Sequence, residues 1–231
     1  MSSRCYALVP CAGVGLRAGT SGPKQYASIA GRPMVAHTLA ALLDVARIDA
    51  TLIVLAPADQ RFERYVPWFA GARGWIARCG GTSRAASVAN GLVELGRRGA
   101  REHDWVLVHD AARCLLRKDW VNRLIDACGD DAVGGLLALP LADTLKQAAD
   151  GRVAKTVTRD DKWLAQTPQM FRLGMLDQAL ARAGDSVTDE AGAIEALGEA
   201  PLLVAGDAEN VKLTWPADIA LAERLLRNRW S

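Results

Sequence analysis

Short, near-continuous apolar runs recur along this chain, separated by segments whose apolar residues repeat at helical spacing. Cys5-Tyr-Ala-Leu-Val9, Thr51-Leu-Ile-Val-Leu-Ala56, Trp105-Val-Leu-Val-His109 and residues 132–139 lack the alternation of a half-exposed strand. They read as strands buried on both faces. Shorter strands are expected at 74–78, 201–204 and 211–214. Helical spacing appears at Val35, Leu39, Leu42 and Leu43, and again at Ala85, Val88, Leu92 and Leu95, where Thr82 or Ser83 is available as N-cap. Further helices are expected over the polar segment 58–66, over 118–128, along Leu173, Leu176 and Leu180, and at Ile194 and Leu197. A final helix opens at Pro216, with Ile219, Ala222 and Leu226 on its inner face. Strands alternating with amphipathic helices imply an α/β fold: a doubly wound, mostly parallel (Rossmann-like) sheet. In such sheets ligands sit at the carboxyl ends of the strands.

Residues 142–162 break the pattern. Thr144-Leu-Lys-Gln and Arg152-Val-Ala-Lys-Thr-Val flank Asp150-Gly151, a strong hairpin signal. A two-stranded hairpin is marginal alone in water, so this protruding β-arm is expected to pack on its own domain or on a second subunit. The 231 residues otherwise read as one domain, 1–231, with the arm inserted at about 142–162.

A formal net charge of +2 supports neither a nucleic-acid nor a membrane footprint. No apolar run reaches the length of a membrane span, and no secretory h-region is visible. The five cysteines form no Cys-x-x-Cys pair, which favours isolated thiols in a reducing cytoplasm over a disulfide framework or structural zinc.

The first strand runs into Pro10-Cys-Ala-Gly-Val-Gly-Leu-Arg-Ala-Gly-Thr-Ser-Gly-Pro-Lys-Gln-Tyr26. Gly13, Gly15, Gly19 and Gly22 let backbone N–H groups converge, and Arg17 and Lys24 add two positive charges. The expected ligand is a polyphosphate. A Walker loop is excluded because Lys24 follows Pro23 and precedes Gln25. A dinucleotide fingerprint fails because its third glycine would fall at Ala18.

This loop resembles the signature of nucleotidyltransferases that join a nucleoside triphosphate to a phosphorylated small molecule. Together with His109-Asp-Ala-Ala-Arg113, Gly80-Gly-Thr-Ser-Arg-Ala-Ala-Ser87 and Asn210-Val-Lys-Leu-Thr214, it most resembles the 2-C-methyl-D-erythritol 4-phosphate cytidylyltransferase family of the non-mevalonate isoprenoid pathway. Thr167-Pro-Gln169 and Thr188-Asp-Glu190 also match family segments. The resemblance covers nearly the whole chain. Three departures stand out: Cys11 replaces a commoner alanine, Thr82 an aspartate, and Cys114 a proline.

What the resemblance implies can be weighed against the chemistry. Nucleotidyl transfer needs two anionic reactants held in line and charge on the equatorial oxygens stabilised, by cations and backbone donors rather than a strong base. Arg17, Lys24 and Lys212 are the expected catalytic cations. Cys11, Ala12, Gly13, Gly15, Gly81, Thr82 and Ser87 are expected around the nucleotide. Asp110, ending an apolar strand, is expected beside the nucleotide and as a Mg²⁺ carboxylate, or else as a plain helix cap. Arg113, Thr144, Arg159 and Thr188 are the expected acceptor contacts, with Thr144 and Arg159 reaching a partner's site through the arm of a homodimer. Thr188 also suits a helix N-cap. The implied substrates are CTP and 2-C-methyl-D-erythritol 4-phosphate.

Rival readings are a cytidylyltransferase for another polyol phosphate such as ribitol 5-phosphate, a sugar or molybdenum-cofactor nucleotidyltransferase, and a non-catalytic nucleotide-binding protein. A dehydrogenase is disfavoured further because the second strand ends in Ala56-Pro57 rather than a ribose-binding acid.

Overall fold

The computed structural model describes residues 3–13 and 22–229; Gly15, Gly19 and Arg17 lie outside the described residues. Among these, seven strands form the main sheet: β1 (Cys5–Cys11), β4 (Ala50–Leu55), β5 (Gly74–Ala77), β6 (Trp105–Val108), β7 (Gly134–Pro140), β10 (Trp163–Arg172) and β11 (Leu202–Ala205). Their order is β11-β7-β10-β6-β1-β4-β5. All are parallel except β10, which runs antiparallel to both β6 and β7. The short strands β2 (Ser28–Ile29) and β3 (Arg32–Pro33) pair separately.

Successive side chains of β1 point to opposite faces of the sheet. Cys5, Ala7, Val9 and Cys11 join Val35, Leu39 and Leu42 of α1 (Met34–Leu43) and Trp120, Val121 and Leu124 of α4 (Lys118–Cys128) in one core. Tyr6 and Leu8 face the other way. They pack with Val88, Leu92 and Leu95 of α3 (Arg84–Arg97), Leu176 and Leu180 of α5 (Leu173–Ala183) and Ile194 of α6 (Glu190–Glu195). Helices on both faces explain the continuous apolar runs, and the doubly wound expectation holds. Close packing of α3 on β1 depends on Gly91, where a Cβ would come within 2.7 Å of Leu8 Cδ1.

Helix α7 (Pro216–Arg229) packs against β2 and the segment that follows β6. Its Ala222 and Leu226 join Ile29, Met34, Cys114 and Leu213 in a third cluster. Among the described residues no helix is long and apolar enough to cross a membrane.

Three local expectations need correcting. Residues 211–214 form no strand: the segment crosses strand ends and is tied there by Leu213 N–H donating to Ala112 O and Lys24 Nζ donating to Leu213 O. The helix sought over 58–66 is only α2 (Phe62–Tyr65), because the Asp59 carboxylate instead accepts from Arg61 N and Tyr26 Oη. Strand β10 was not expected, since Gln166, Thr167, Pro168 and Gln169 interrupt any apolar pattern.

The arm forms as expected. β8 (Leu145–Ala149) and β9 (Arg152–Val157) pair antiparallel. Asp150 (φ 49°) and Gly151 (φ 73°) both occupy left-handed backbone, as a type I′ hairpin turn demands. All residues of both strands are exposed except the half-buried Val157.

Candidate active site

Two pockets open at the carboxyl ends of the strands. The larger, about 440 Å³, is bounded by the end of β1 (Cys11, Ala12, Gly13), by Lys24 and by the segment from Gly81 to Ser87. The smaller, about 220 Å³, is bounded by Arg113, Gln166, Thr167, Thr188 and Asp189. Arg84, Asp110 and Lys212 line both. The described ends of the glycine loop, Cys11 to Gly13 and Lys24, thus line the same pocket as Asp110 at the carboxyl ends of the strands.

The larger pocket's wall is built from close backbone approaches. Gly80 N–H donates to Leu55 O, and a Cβ at Gly80 would stand 2.3 Å from Ala12 Cβ. At Gly81 a Cβ would meet Ala86 Cβ at 2.5 Å. Both glycines are thus fixed by space. Ser83 caps α3 by accepting from Ala86 N at 3.0 Å, as one of the two expected caps. Ser87 Oγ accepts from Gly81 N at 3.0 Å and donates to Ser83 O at 2.8 Å, so its hydroxyl locks the loop. The Cys11 side chain turns into the core, where burial and then Asp59 push its thiol up to about 12. Cys11 therefore meets the pocket as an apolar residue, and its carbonyl accepts from Gln25 Nε2.

A row of alternating charges forms the wall between the pockets. Lys212 Nζ lies 2.7 Å from Asp110 Oδ2, and Arg84 Nε lies 2.8 Å from Asp110 Oδ1. Arg84 Nη1 and Nη2 donate to Glu190 Oε1 and Oε2 at 2.6 and 2.9 Å. Burial alone would raise the Asp110 carboxyl, but Arg84 and Lys212 outweigh it and hold it well below the usual carboxylate range. Burial raises the Glu190 carboxyl, and Arg84 offsets this only in part. Burial opposes the Arg84 charge too, yet the two carboxylates keep it firmly protonated.

Behind Asp110 lies a second set of bonds. Asp110 N–H donates to Thr167 Oγ1 at 3.1 Å, and Thr167 Oγ1 lies 2.9 Å from His109 Nδ1. His109 Nε2 lies 3.2 Å from Arg113 O. A neutral His109 with its proton on Nε2 satisfies every partner in this chain. Burial pushes the imidazole down to about 4, in agreement with that form. Arg113 donates from Nη1 to Asn210 O and from Nη2 to Ala165 O, which aims it across the smaller pocket.

Most expected site residues gather here: Cys11, Ala12, Gly13, Lys24, Gly81, Thr82, Ser87, Asp110 and Lys212 around the larger pocket, and Arg113 and Thr188 around the smaller. Lys24 Nζ donates to Leu213 O at 2.7 Å, beside the Lys212 segment. The N-cap of α6 is Asp189, which accepts from Gly192 N, rather than Thr188. Thr144 and Arg159 are exposed and line neither pocket of their own chain; the Arg159 guanidinium donates to Ala142 O at the base of the arm. Sequence reasoning assigns no individual role to Arg84, His109, Thr167 or Glu190. All four sit inside segments that the sequence motifs mark, but their contacts with one another come only from the fold.

The chain matches known proteins along almost its whole length. A family model described as IspD: 2-C-methyl-D-erythritol 4-phosphate cytidylyltransferase matches residues 5–228. The chain is 57% identical over 226 residues to the 2-C-methyl-D-erythritol 4-phosphate cytidylyltransferase of Laribacter hongkongensis, covering 97% of this chain and 96% of that protein. It is 60% identical over 228 residues to the bifunctional enzyme IspD/IspF of Albidiferax ferrireducens, covering 99% of this chain and 54% of that longer protein. The crystal structure of a 4-diphosphocytidyl-2C-methyl-D-erythritol synthase superposes with TM-score 0.87 at 41% identity, covering 98% of this chain and 99% of that one. That of the Francisella tularensis 2-C-methyl-D-erythritol 4-phosphate cytidylyltransferase gives 0.82 at 31% identity, covering 96% and 99%.

Proposed function

The chain belongs to the 2-C-methyl-D-erythritol 4-phosphate cytidylyltransferase family, and we propose that its joined pockets transfer the cytidylyl group of CTP to 2-C-methyl-D-erythritol 4-phosphate, releasing pyrophosphate. The observation that carries this reading is the wall of Arg84, Asp110 and Lys212 common to both pockets. A reaction between two bound phosphates needs its stabilising cations where the two meet.

The nucleotide occupies the larger pocket, with its base against the segment from Gly81 to Ser87 and its phosphates toward Gly13 and Lys24. Gly15 and Arg17, outside the described residues, are assigned to the phosphates from the sequence motif alone. The acceptor occupies the smaller pocket beside Arg113 and Thr188. Its phosphate is already ionised, so no general base is required, and Lys212 with Lys24 and Arg17 stabilises charge gathering on the α-phosphate. Ribitol 5-phosphate remains the acceptor of the less favoured reading.

Mg²⁺ fits the donor set in a limited way. Asp110 faces both pockets as one carboxylate, but its oxygens are paired with Arg84 and Lys212, so it could offer Mg²⁺ at most a shared oxygen beside phosphate oxygens and water. Among the described residues no group of three or more His, Cys, Asp or Glu side chains suits a metal ion, so most ligands would come from the triphosphate. Bound there, the ion would neutralise phosphate charge.

We read residues 1–231 as one nucleotidyltransferase domain with the arm as its insertion. An arm this exposed suits a homodimer in which Thr144 and Arg159 complete the partner's acceptor pocket. Free thiols at all five cysteines suit a cytoplasmic setting. Incubating the protein with CTP, the acceptor and Mg²⁺ and identifying the product by mass spectrometry tests the reaction. A cytidyl diphosphate adduct formed with stoichiometric pyrophosphate supports it, whereas hydrolysis to CMP alone rejects it.

A further inference from the structure

Glu190 opens α6, is wholly buried and lines neither pocket. A buried ion pair is a poor device for stability alone, since apolar residues of similar volume often serve as well. Its geometry suggests a different use. Both Glu190 oxygens accept from the two Nη atoms of Arg84. Arg84 Nε in turn takes Asp110 Oδ1. Oδ2 is thereby left to Lys212, 2.7 Å away. A guanidinium favours two parallel N–H bonds to one carboxylate. Anchored by both Nη atoms on Glu190, the guanidinium is fixed where its Nε meets Asp110 Oδ1; an Arg84 released by Glu190 could turn to set Nε and an Nη side by side on Asp110, and that fork claims both oxygens.

We propose that Glu190 is a positioning residue: by holding the Arg84 fork it reserves Asp110 Oδ2 for Lys212 and keeps that ammonium at the junction of the pockets. This rests on the reading that Lys212 stabilises the transferring phosphoryl group. Glu190 acts two side chains away from the substrates, through Arg84 and Asp110.

The test is Glu190→Gln, which keeps the shape and one acceptor oxygen, assayed with CTP and 2-C-methyl-D-erythritol 4-phosphate in the wild-type and Lys212→Ala backgrounds. We expect kcat to fall roughly 10- to 100-fold while both KM values stay within about threefold. In the Lys212→Ala background the further loss is expected to be under about threefold, because the ammonium being positioned is gone. A crystal structure of Glu190→Gln is expected to show Arg84 on both Asp110 oxygens and Lys212 displaced. Equal fractional losses in both backgrounds, with Lys212 still in place, would overturn the proposal and leave a plain packing role. Wild-type kcat in Lys212→Ala would instead sink the reading of Lys212, and the crystal structure would still decide the strut. If Glu190→Gln does not fold, Glu190→Asp retains charge but loses the reach to both Nη atoms. Wild-type kcat with Lys212 unmoved in that variant also overturns the proposal.

Discussion

Lys212 Nζ and Asp110 Oδ2 stand 2.7 Å apart on the wall that the two pockets share. One residue comes from the end of an inner strand and the other from a segment more than a hundred residues later, pinned across the strand ends by Leu213. On the proposed reading the pairing places a cation where two anionic substrates would meet, and several outcomes can be checked against it.

Lys212→Ala is expected to lower kcat by about 100- to 1,000-fold, the scale found when one preorganised donor to a developing charge is removed. The KM for CTP is expected to change far less, since on the proposed reading Lys24 still contributes to binding the phosphates. Steady-state pyrophosphate release measures both. A large rise in KM with kcat preserved would make Lys212 a ground-state binder instead.

Gly80→Ala is expected to damage nucleotide binding. Its Cβ would stand 2.3 Å from Ala12 Cβ and 2.8 Å from Leu55 O, and the backbone there is held by the Gly80–Leu55 hydrogen bond. The loop must move off the end of β1, and a displacement of about 1 Å near a reacting group can cost on the order of 100-fold. Calorimetric titration with CTP checks this; unchanged affinity would mean that the loop does not touch the nucleotide.

Acid is expected to destabilise the fold before carboxylates are generally protonated. His109 titrates near 6.5 in an unfolded chain but is pushed down to about 4 by burial in the fold. The unfolded chain thus binds a proton that the folded one refuses. This contribution is complete above pH 6.5 and is lost as the pH falls toward 4; its size is on the order of 3 kcal/mol. The lowered Asp110 carboxyl acts in the same sense at lower pH. The raised Glu190 carboxyl opposes both, because the fold takes up its proton first as pH drops. Urea denaturation between pH 7.5 and 4.5 is expected to show stability falling from about pH 6.5 downward. A flat profile across that range would contradict a neutral, buried His109.

Mixed dimers test the arm. If Arg159 serves the partner's pocket, a dimer of one Arg159→Ala chain and one Lys212→Ala chain carries both lesions in one site and neither in the other. Unfolding and refolding the two inactive variants together is expected to restore activity toward half the wild-type value per mixed dimer. If each arm serves its own chain, both sites stay damaged and no activity returns.

The parts of the fold legible in the chain are those where burial alone sets the pattern. β1, β4 and β6 are covered on both faces, and α1, α3 and α4 pack one apolar stripe, so periodicity located them within a residue or two. β10 escaped because Gln166, Thr167 and Gln169 are buried for their hydrogen bonds, not their hydrophobicity. Gln169 bridges Asp189 and Ala191 N, and Gln166 bridges Asp207 and Asn210. Such a strand carries no continuous apolar run although it lies inside the sheet, between β7 and β6.

The candidate site was legible for the same reason in reverse. A glycine loop with cations stands out against an apolar background, which marked Gly13 and Lys24; Asp110 stood out as an acid ending an apolar strand, and Gly81 came through the family resemblance. Ser87 illustrates the limit, since a hydroxyl in a motif does not reveal whether it faces a ligand or closes its own loop. Glu190 shows the same limit for charge, because only the fold brings it to Arg84.

The most direct test of the junction as a reaction centre is single-turnover product formation by wild type and Lys212→Ala, with each of the common ribonucleoside triphosphates against both polyol phosphates. The expected result is rapid turnover by wild type with CTP and 2-C-methyl-D-erythritol 4-phosphate alone, and a collapse of that rate in Lys212→Ala with both substrates still bound. Equal rates for the two proteins, or turnover only with ribitol 5-phosphate or another triphosphate, would contradict the account.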